Sequence, residues 1–406
     1  MKIRVSRVKQ PNKFDFILAG IILCIFVSSI LAIYGSFPLL SSYLSGPNLL
    51  FKQVQFYLLG FVVIGVLMYF SNDNLQEFAI IAYKIILGML IYLFIDSFFI
   101  QRFIGRSILP FVNTVNGATS WFSFPFLGTL QPSEFMKVVL IIISANIIIE
   151  HNSTKQDDSF ESDIELFKEI LKWALAPLIL IFLQPDTGIC IIIVFSISLM
   201  LALSGIRKEW IFGLLIVAAI GLLIFFYLFY NDQTTFVKIF GSSYKVRRFY
   251  GWLYPEKYQN SDGLQLYSSL LSLGSAGFTG HGLQSGIISI PEAHTDFIFA
   301  VIGLDFGLLG TLIVLGLCAA LDIRLAQIAT RCTNNIEKIM IVGFLGMLIL
   351  QQLENIGMVV GYFPITGVTL PLISYGGSSL LSYMIAFGII FNASSRAKKL
   401  SDYVYD

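Results

Sequence analysis

Long apolar runs separated by short polar clusters dominate this chain. A run of roughly 17–25 apolar residues is long enough to cross a bilayer as a helix. The pattern predicts ten such spans, near 14–36, 54–70, 78–100, 132–150, 167–184, 187–205, 210–230, 297–321, 337–360 and 374–394. The fifth and sixth are joined only by Pro185-Asp186. The expected fold is therefore an all-α polytopic membrane protein, one integral membrane domain over 1–406, with ten transmembrane helices and a large extracellular loop, 231–296, before the eighth. That loop is rich in Phe, Tyr, Trp and Leu, which predicts short helices lying at the interface. Segment 151–168 is polar and acidic and offers no chemistry, and no internal repeat is evident.

Composition agrees with the pattern. Of 406 residues, 56% are hydrophobic and only 13% charged, and mean hydropathy is +0.80. A soluble domain carries about a quarter charged residues. The net charge of +1 gives no argument for nucleic acid, and none is expected as a partner. Cys24, Cys190 and Cys318 lie in apolar runs and Cys332 in a short basic loop, without metal or disulfide spacing.

Charge placement sets direction. Alternate loops collect Lys2, Arg4, Arg7, Lys9 and Lys13; Lys155 and Lys168; Arg207 and Lys208; Arg324, Arg331 and Lys338; and Arg396, Lys398 and Lys399. The other short loops hold only Lys52, Arg102 and Arg106, whereas loop 71–77, assigned to the basic side, has no Lys or Arg. Basic loops stay inside, so both termini are expected in the cytoplasm and 231–296 outside. The basic N-terminus leads into an apolar run without a small-residue cleavage site, which reads as an uncleaved first span.

Candidate chemistry gathers at the outer ends of spans. Glu292, His294 and Asp296 crowd together just before the eighth span, and a carboxylate there is costly unless paired, wet or functional. Asp296 has two compatible readings, a helix N-cap and a general base. Glu292 and His294 either tune it or are solvated neighbours. On a continuous helix Asp305, nine residues on, would lie about 13.5 Å deeper and on the opposite face. In Gln131-Pro132-Ser133-Glu134-Phe135-Met136-Lys137, Glu134 and Lys137 share a helix face. They are either a structural ion pair or a charged wall of a cavity. Asp186 reads as a helix cap and as a partner for a nearby base. Arg248 is either a snorkelling cation or a clamp on a lipid-linked phosphate. Trp121 reads most simply as an interface anchor, and Glu354 and Asn355 as interhelical glue. The Gly-rich stretch 274–282 looks like a phosphate cradle but lacks the ending of a nucleotide loop.

Taken together, these motifs resemble the SEDS family (shape, elongation, division and sporulation), most closely its RodA branch. The likeness rests on Asn116-Gly117-Ala118-Thr119-Ser120-Trp121, on Gln131-Pro132-Ser133-Glu134 with Lys137, and on Gln184-Pro185-Asp186. It continues through Pro291-Glu292 with His294-Thr295-Asp296-Phe297-Ile298-Phe299, Asn355-Ile356-Gly357-Met358, Pro364-Ile365-Thr366-Gly367 and Pro371-Leu372-Ile373-Ser374-Tyr375-Gly376-Gly377-Ser378. The resemblance implies a peptidoglycan glycosyltransferase of the bacterial cytoplasmic membrane, working beside a class B penicillin-binding protein and among membrane lipids. It would polymerise lipid II on the outer face. Asp296 falls on the family's essential acid, and Trp121, Glu134, Lys137 and Asp186 fall on its other marked positions. The chain departs from the family in having Gly303-Leu304-Asp305 where Gly-Glu-Glu is usual, and Gly280-His281-Gly282 in place of Gly-Lys-Gly.

The expected reaction has Asp296 take a proton from the acceptor's 4-hydroxyl, which attacks the anomeric carbon of the lipid-linked donor with inversion. Undecaprenyl diphosphate leaves, with Arg248, Lys137 or a divalent cation (Mg²⁺ or Mn²⁺) offsetting its charge. No His or carboxylate cluster prescribes a metal cage, so such a cation would be shared with the diphosphate. The competing expectations are a lipid II flippase, a scaffold that recruits a synthase, and a division-type polymerase.

Overall fold

The computed structural model describes residues 14–70, 72–100, 103, 107–115, 118–124, 128–155, 157–240 and 243–396. The basic residues of 1–13, Arg102, Arg106, Lys398, Lys399 and the Asn116-Gly117 pair lie outside them. Each predicted span corresponds to a helix: α1 (Phe16–Gly35), α2 (Gly46–Tyr69), α3 (Leu75–Ile95), α4 (Pro132–Thr154), α5 (Phe160–Leu183), α6 (Thr187–Leu203) and α7 (Lys208–Asn231). After three short helices, α8 (Gln233–Phe240), α9 (Ser243–Leu253) and α10 (Leu264–Ser275), come α11 (Ile298–Arg331), α12 (Asn335–Val359) and α13 (Gly377–Arg396). Among the described residues, eight helices are long and apolar enough to cross a membrane. The two predicted spans outside that set are α5, which carries Lys168, Glu169 and Lys172, and α6, with only 17 residues.

Burial sorts the helices. In α4, Met136 to Ala145 are buried without a break. Helices α12, α13, α3, α5 and α6 pack against it; α11 packs instead on α1 and α12. Most of α11, α12 and α13 is buried, whereas α1, α2 and α3 bury only a minority of their residues. By contrast α7 buries only Phe229. Phe229 joins Phe236 of α8 and Val246 of α9 in a small apolar cluster of its own.

Ion pairs mark one end of the bundle. Arg324 meets Asp15 at 2.7 Å and Arg396 meets Glu337 at 3.5 Å. The start of α1, the finish of α11, the start of α12 and the finish of α13 are thus gathered together. The candidate site lies toward the other end.

Two features depart from the sequence-based expectation. The first is a three-stranded antiparallel sheet of β1 (Val112–Val115), β2 (Ala118–Phe124) and β3 (Gly128–Leu130), where only a loop is predicted. Val115 pairs with Ala118, so the residues between them are Asn-Gly, the strongest short-range hairpin signal.

The second concerns the eighth span. Gly307 has φ 62° and ψ −153°, which no helix contains, so α11 is two helices meeting at a break. The chain folds back there. A Cβ on Gly303 would sit 3.5 Å from Thr311 Cγ2, and one on Gly310 would sit 3.4 Å from Ile302 Cγ2. Residues eight apart on a continuous helix would be about 12 Å apart. This overturns the expectation that Asp305 lies deeper than Asp296. Asp305 abuts Gly35, the last residue of α1. Segment 294–296 is tied instead to Ser374 and Tyr375, whose neighbour Ile373 accepts a bond from Ser29 Oγ at 2.8 Å. Ser29 lies six residues, about 9 Å, further into α1 than Gly35. Asp296 is therefore the recessed acid and Asp305 the shallow one, with its carboxylate held by Ser285 Oγ and the amides of Gln284 and Ser285.

Candidate active site

The backbone of the His294-Thr295-Asp296 motif is pinned residue by residue. The His294 carbonyl accepts from Tyr375 N at 2.9 Å, the Thr295 carbonyl from Ser374 Oγ at 2.6 Å and the Asp296 carbonyl from Asn355 Nδ2 at 2.7 Å. The segment 370–376 is itself anchored in the bundle through Ser29, Gln53 and Tyr57. The Asp296 side chain takes no share in this scaffolding. The N-cap of α11 is Phe297, without a side-chain cap bond, so the N-cap reading of Asp296 does not hold.

The Asp296 carboxylate is part-buried and faces the 364–370 loop. Gly367 has φ +80°, and a Cβ there would stand 3.4 Å from Asp296 Oδ2. The loop passes this close because Gly alone adopts that conformation without cost. Arg248 donates to the Ile365 carbonyl at 3.1 Å, and its charge acts on Asp296. Burial and then the Glu292 carboxylate push the Asp296 pKa up from 3.8 to about 7, against the pull of Arg248. Burial lowers the His294 pKa despite Glu292, so its imidazole is neutral near pH 7. Its ring lies 5.9 Å from that of Tyr375. Glu292 and His294 also line a cleft of about 310 Å³ between segments 39–44 and 289–294.

The second group of predicted residues forms a separate network. Asp186 accepts from Gln131 Nε2 at 2.8 Å and Ser133 Oγ at 3.1 Å, and it caps α6 through Ile189 N at 3.4 Å. Burial and the nearby Glu134 raise its pKa to about 6, although those hydrogen bonds pull it down. Trp121, on β2, donates to Gln131 Oε1 at 3.1 Å, so it orients the residue that holds Asp186. Lys137 and Glu134 pair at 2.6 Å, and Lys137 also reaches Gln351 Oε1 at 3.1 Å and the Tyr383 hydroxyl at 3.2 Å.

Helix α12 bridges the two groups: Asn355 ties separate segments together, in line with its reading as interhelical glue, whereas Gln351 is not singled out by the sequence. Gln351 binds Lys137 and donates to the Thr369 carbonyl. Asn355 links the Asp296 carbonyl to that of Val368, both at 2.7 Å. Polar residues at 351, 354 and 355 share one side of an apolar helix, which was the available signal.

The Gly-rich stretch is not a phosphate cradle. The amides at its glycine-rich end are already committed: Gly280 N to the Ala276 carbonyl, His281 N to that of Leu304 and Gly282 N to that of Asp305. It wraps the break at Gly307. Among the described residues, no three His, Cys, Asp or Glu side chains are grouped so as to hold a metal ion. The four cysteines are free thiols.

The chain matches the FtsW/RodA/SpoVE family model, described as "Cell cycle protein", over residues 9–399. It is 30% identical over 375 residues to the "Probable peptidoglycan glycosyltransferase FtsW" of Lactococcus lactis, covering 87% of this chain and 86% of that one. It is 34% identical over 292 residues to the protein of the same name from Dichelobacter nodosus, covering 70% and 68%. Among solved structures it superposes on a chain from "Structural coordination of polymerization and crosslinking by a peptidoglycan synthase complex", with TM-score 0.71 and 24% identity over 95% of this chain and 99% of that one. The rod shape determining protein RodA of Thermus thermophilus gives TM-score 0.63 and 23% identity over 95% and 98%. At these identities the structural likeness is one of fold.

Proposed function

This chain belongs to the FtsW/RodA/SpoVE family of cell cycle proteins, and on that footing we propose that it is a peptidoglycan glycosyltransferase that polymerises lipid II into β-1,4 glycan strands. The observation that carries the reading is Asp296, a carboxylate with a fixed backbone, recessed, and poised near neutrality between Glu292 and Arg248. A general base works best with a pKa near the working pH. Asp296 accepts the proton of the acceptor sugar's 4-hydroxyl. The freed oxygen attacks the donor's anomeric carbon with inversion, and undecaprenyl diphosphate leaves. Arg248, held by the Ile365 carbonyl, faces the departing phosphates. Lys137, locked to Glu134, Gln351 and Tyr383, sets the field of the wall. A divalent cation, when bound, offsets diphosphate charge, and its ligands would come partly from the substrate.

A flippase needs polar groups near the midplane. Here Asp296, Asp186, Glu134 and Arg248 cluster toward one end of the bundle, opposite the Asp15–Arg324 clasp. We assign that end, and the α8–α10 region, to the extracellular face, with both termini cytoplasmic. A class B penicillin-binding protein is the proposed partner, engaged through the spans and outer loops. The neighbouring chain from a peptidoglycan synthase complex supports this.

The test is polymerisation of purified lipid II by the purified protein, alone and with the partner. Asp296→Asn should abolish glycan strands and retain lipid II binding. Wild-type activity in that variant would remove Asp296 from the chemistry. Within the family we place the chain in cell-wall elongation and cell shape. A division role is the second reading, favoured by the FtsW name of the sequence relatives. Depletion distinguishes them: loss of shape marks elongation, and filamentation without septa marks division.

A further inference from the structure

Glu354 is unused by the reaction derived above, and it is anomalous. It lies on α12 beside Asn355, only 7% exposed, and its Oε2 has no hydrogen-bond partner. A buried carboxylate oxygen without a partner is costly, and in a native structure it calls for an explanation. Thr366 is the hydroxyl beside it. Lys137, the cation on the neighbouring α4, is already occupied by Glu134, Gln351 and Tyr383.

The carboxylate points at the start of α6. Glu354 Oε1 is 3.6 Å from where a Cβ on Gly188 would stand. Two residues before Gly188 is Asp186, whose charge opposes that of Glu354 across the gap. Asp186 cannot turn away, because Gln131, Ser133 and Ile189 N hold it. Gly188 keeps the space between them open, since any side chain there would strike Val368. One fixed carboxylate and a second one with an unpartnered oxygen therefore lie on either side of the first turn of α6, at the wall of the proposed active site.

Two like charges held in this way fit a cation between them. Mg²⁺ and its substitutes are bound by one or two carboxylates, with water and substrate phosphates completing the shell. We propose that Asp186 and Glu354 seat a divalent cation, Mg²⁺ or Mn²⁺, whose shell the diphosphate of the lipid-linked donor completes. The diphosphate part of this proposal rests on the glycosyltransferase reading, but the two-carboxylate seat does not. The seat would place positive charge where the leaving group needs it, beside Lys137, whose own charge is taken up by Glu134.

The experiment titrates Mn²⁺ into the purified full-length protein and follows free Mn²⁺ by electron paramagnetic resonance, with and without inorganic diphosphate. Wild type should bind one Mn²⁺ per chain, at least tenfold more tightly with diphosphate. Glu354→Gln and Asp186→Asn should each weaken binding at least tenfold, whereas Asp296→Asn should bind as wild type does. Unchanged binding in Glu354→Gln, or none by wild type at millimolar Mn²⁺, would overturn the proposal and assign Glu354 a proton instead. If Glu354→Gln does not fold, Asp186→Asn and the Mn²⁺-dependent rise in wild-type unfolding temperature decide, and absence of that rise counts against the seat. Mn²⁺ binding by a protein that polymerises no lipid II would sink the glycosyltransferase reading and leave the seat. Polymerisation without Mn²⁺ binding would do the reverse.

Discussion

The protonation of Asp296 offers the most searching test of the proposed reaction. A base must be ionised to act. With its pKa raised to about 7, roughly one-tenth of the molecules carry the active carboxylate at pH 6 and about nine-tenths at pH 8. The apparent kcat/KM for glycan formation should therefore rise about tenfold over that interval, since this quantity reports the free enzyme. A carboxylate at its ordinary value of 3.8 would give a flat line across the same range. Two neighbours then move the midpoint in opposite directions. Glu292→Gln removes a negative charge that raises the pKa, so its midpoint falls. Arg248→Gln removes the positive charge that lowers it, so its midpoint rises, and the sugar chemistry now starts only at higher pH. The assay is gel-resolved polymerisation of lipid II by purified protein in a series of buffers at constant ionic strength. Midpoints are read from the curve's shape, so a lower overall rate in Arg248→Gln does not matter. A flat wild-type profile from pH 6 to 8, or two variants shifting the same way, would refute Asp296 as the base.

Asp296→Asn should also change stability with a definite sign. The folded carboxyl holds its proton to about pH 7 and the unfolded one releases it near 3.8, so wild type loses stability as pH rises between those values; the variant should melt higher than wild type at pH 8 and equally at pH 3, and equal melting at pH 8 would contradict the raised pKa. Breaking the buried Glu134–Lys137 pair by either single Ala change should cost about 3–5 kcal/mol, and the double-mutant cycle should show coupling of about 0.5–3 kcal/mol; strict additivity in unfolding measurements would deny the pair. In a cysteine-free background, Ser261→Cys should react with an impermeant thiol reagent on intact cells and Lys398→Cys should not, and the opposite pattern would invert the assigned orientation.

The helices were legible because a bilayer imposes length and apolarity on each span, and the chain marks its turns with Pro132, Pro185 and Gly377. The Asp296 motif was legible because acids are rare so close to a span. The reversal at Gly307 was not. Residues 297–321 read as one apolar run, and a lone Gly inside a helix is usually tolerated; the turn shows only in the close packing of Phe278 and Gly280, distant in sequence, against Gly307. The roles of Gln351, Glu354 and Asn355 were hidden for a different reason. The groups they bind or approach, Lys137, Asp186 and Asp296, are distant in sequence, and a polar side chain on an apolar helix looks the same whether it binds a neighbouring helix or lines a recess. The sheet is marked in the sequence only by Asn116-Gly117, because its strands are short and lie between membrane spans whose apolar runs dominate the pattern.

The pinning of segment 294–296 has a consequence for biosynthesis. The side chains and amide that hold its carbonyls, from Asn355, Ser374 and Tyr375, are all translated after it. About 80 residues separate Asp296 from Tyr375, roughly 4–16 s of ribosomal elongation. During that interval the short helix before Gly307 has left the ribosome and its docking site does not yet exist. The nascent protein therefore threads most of its spans through the insertion machinery while still catalytically blank. The proposed active centre closes only when the start of α13 arrives, so on that assignment a chain stalled or clipped before that point would be a membrane protein without an enzyme in it.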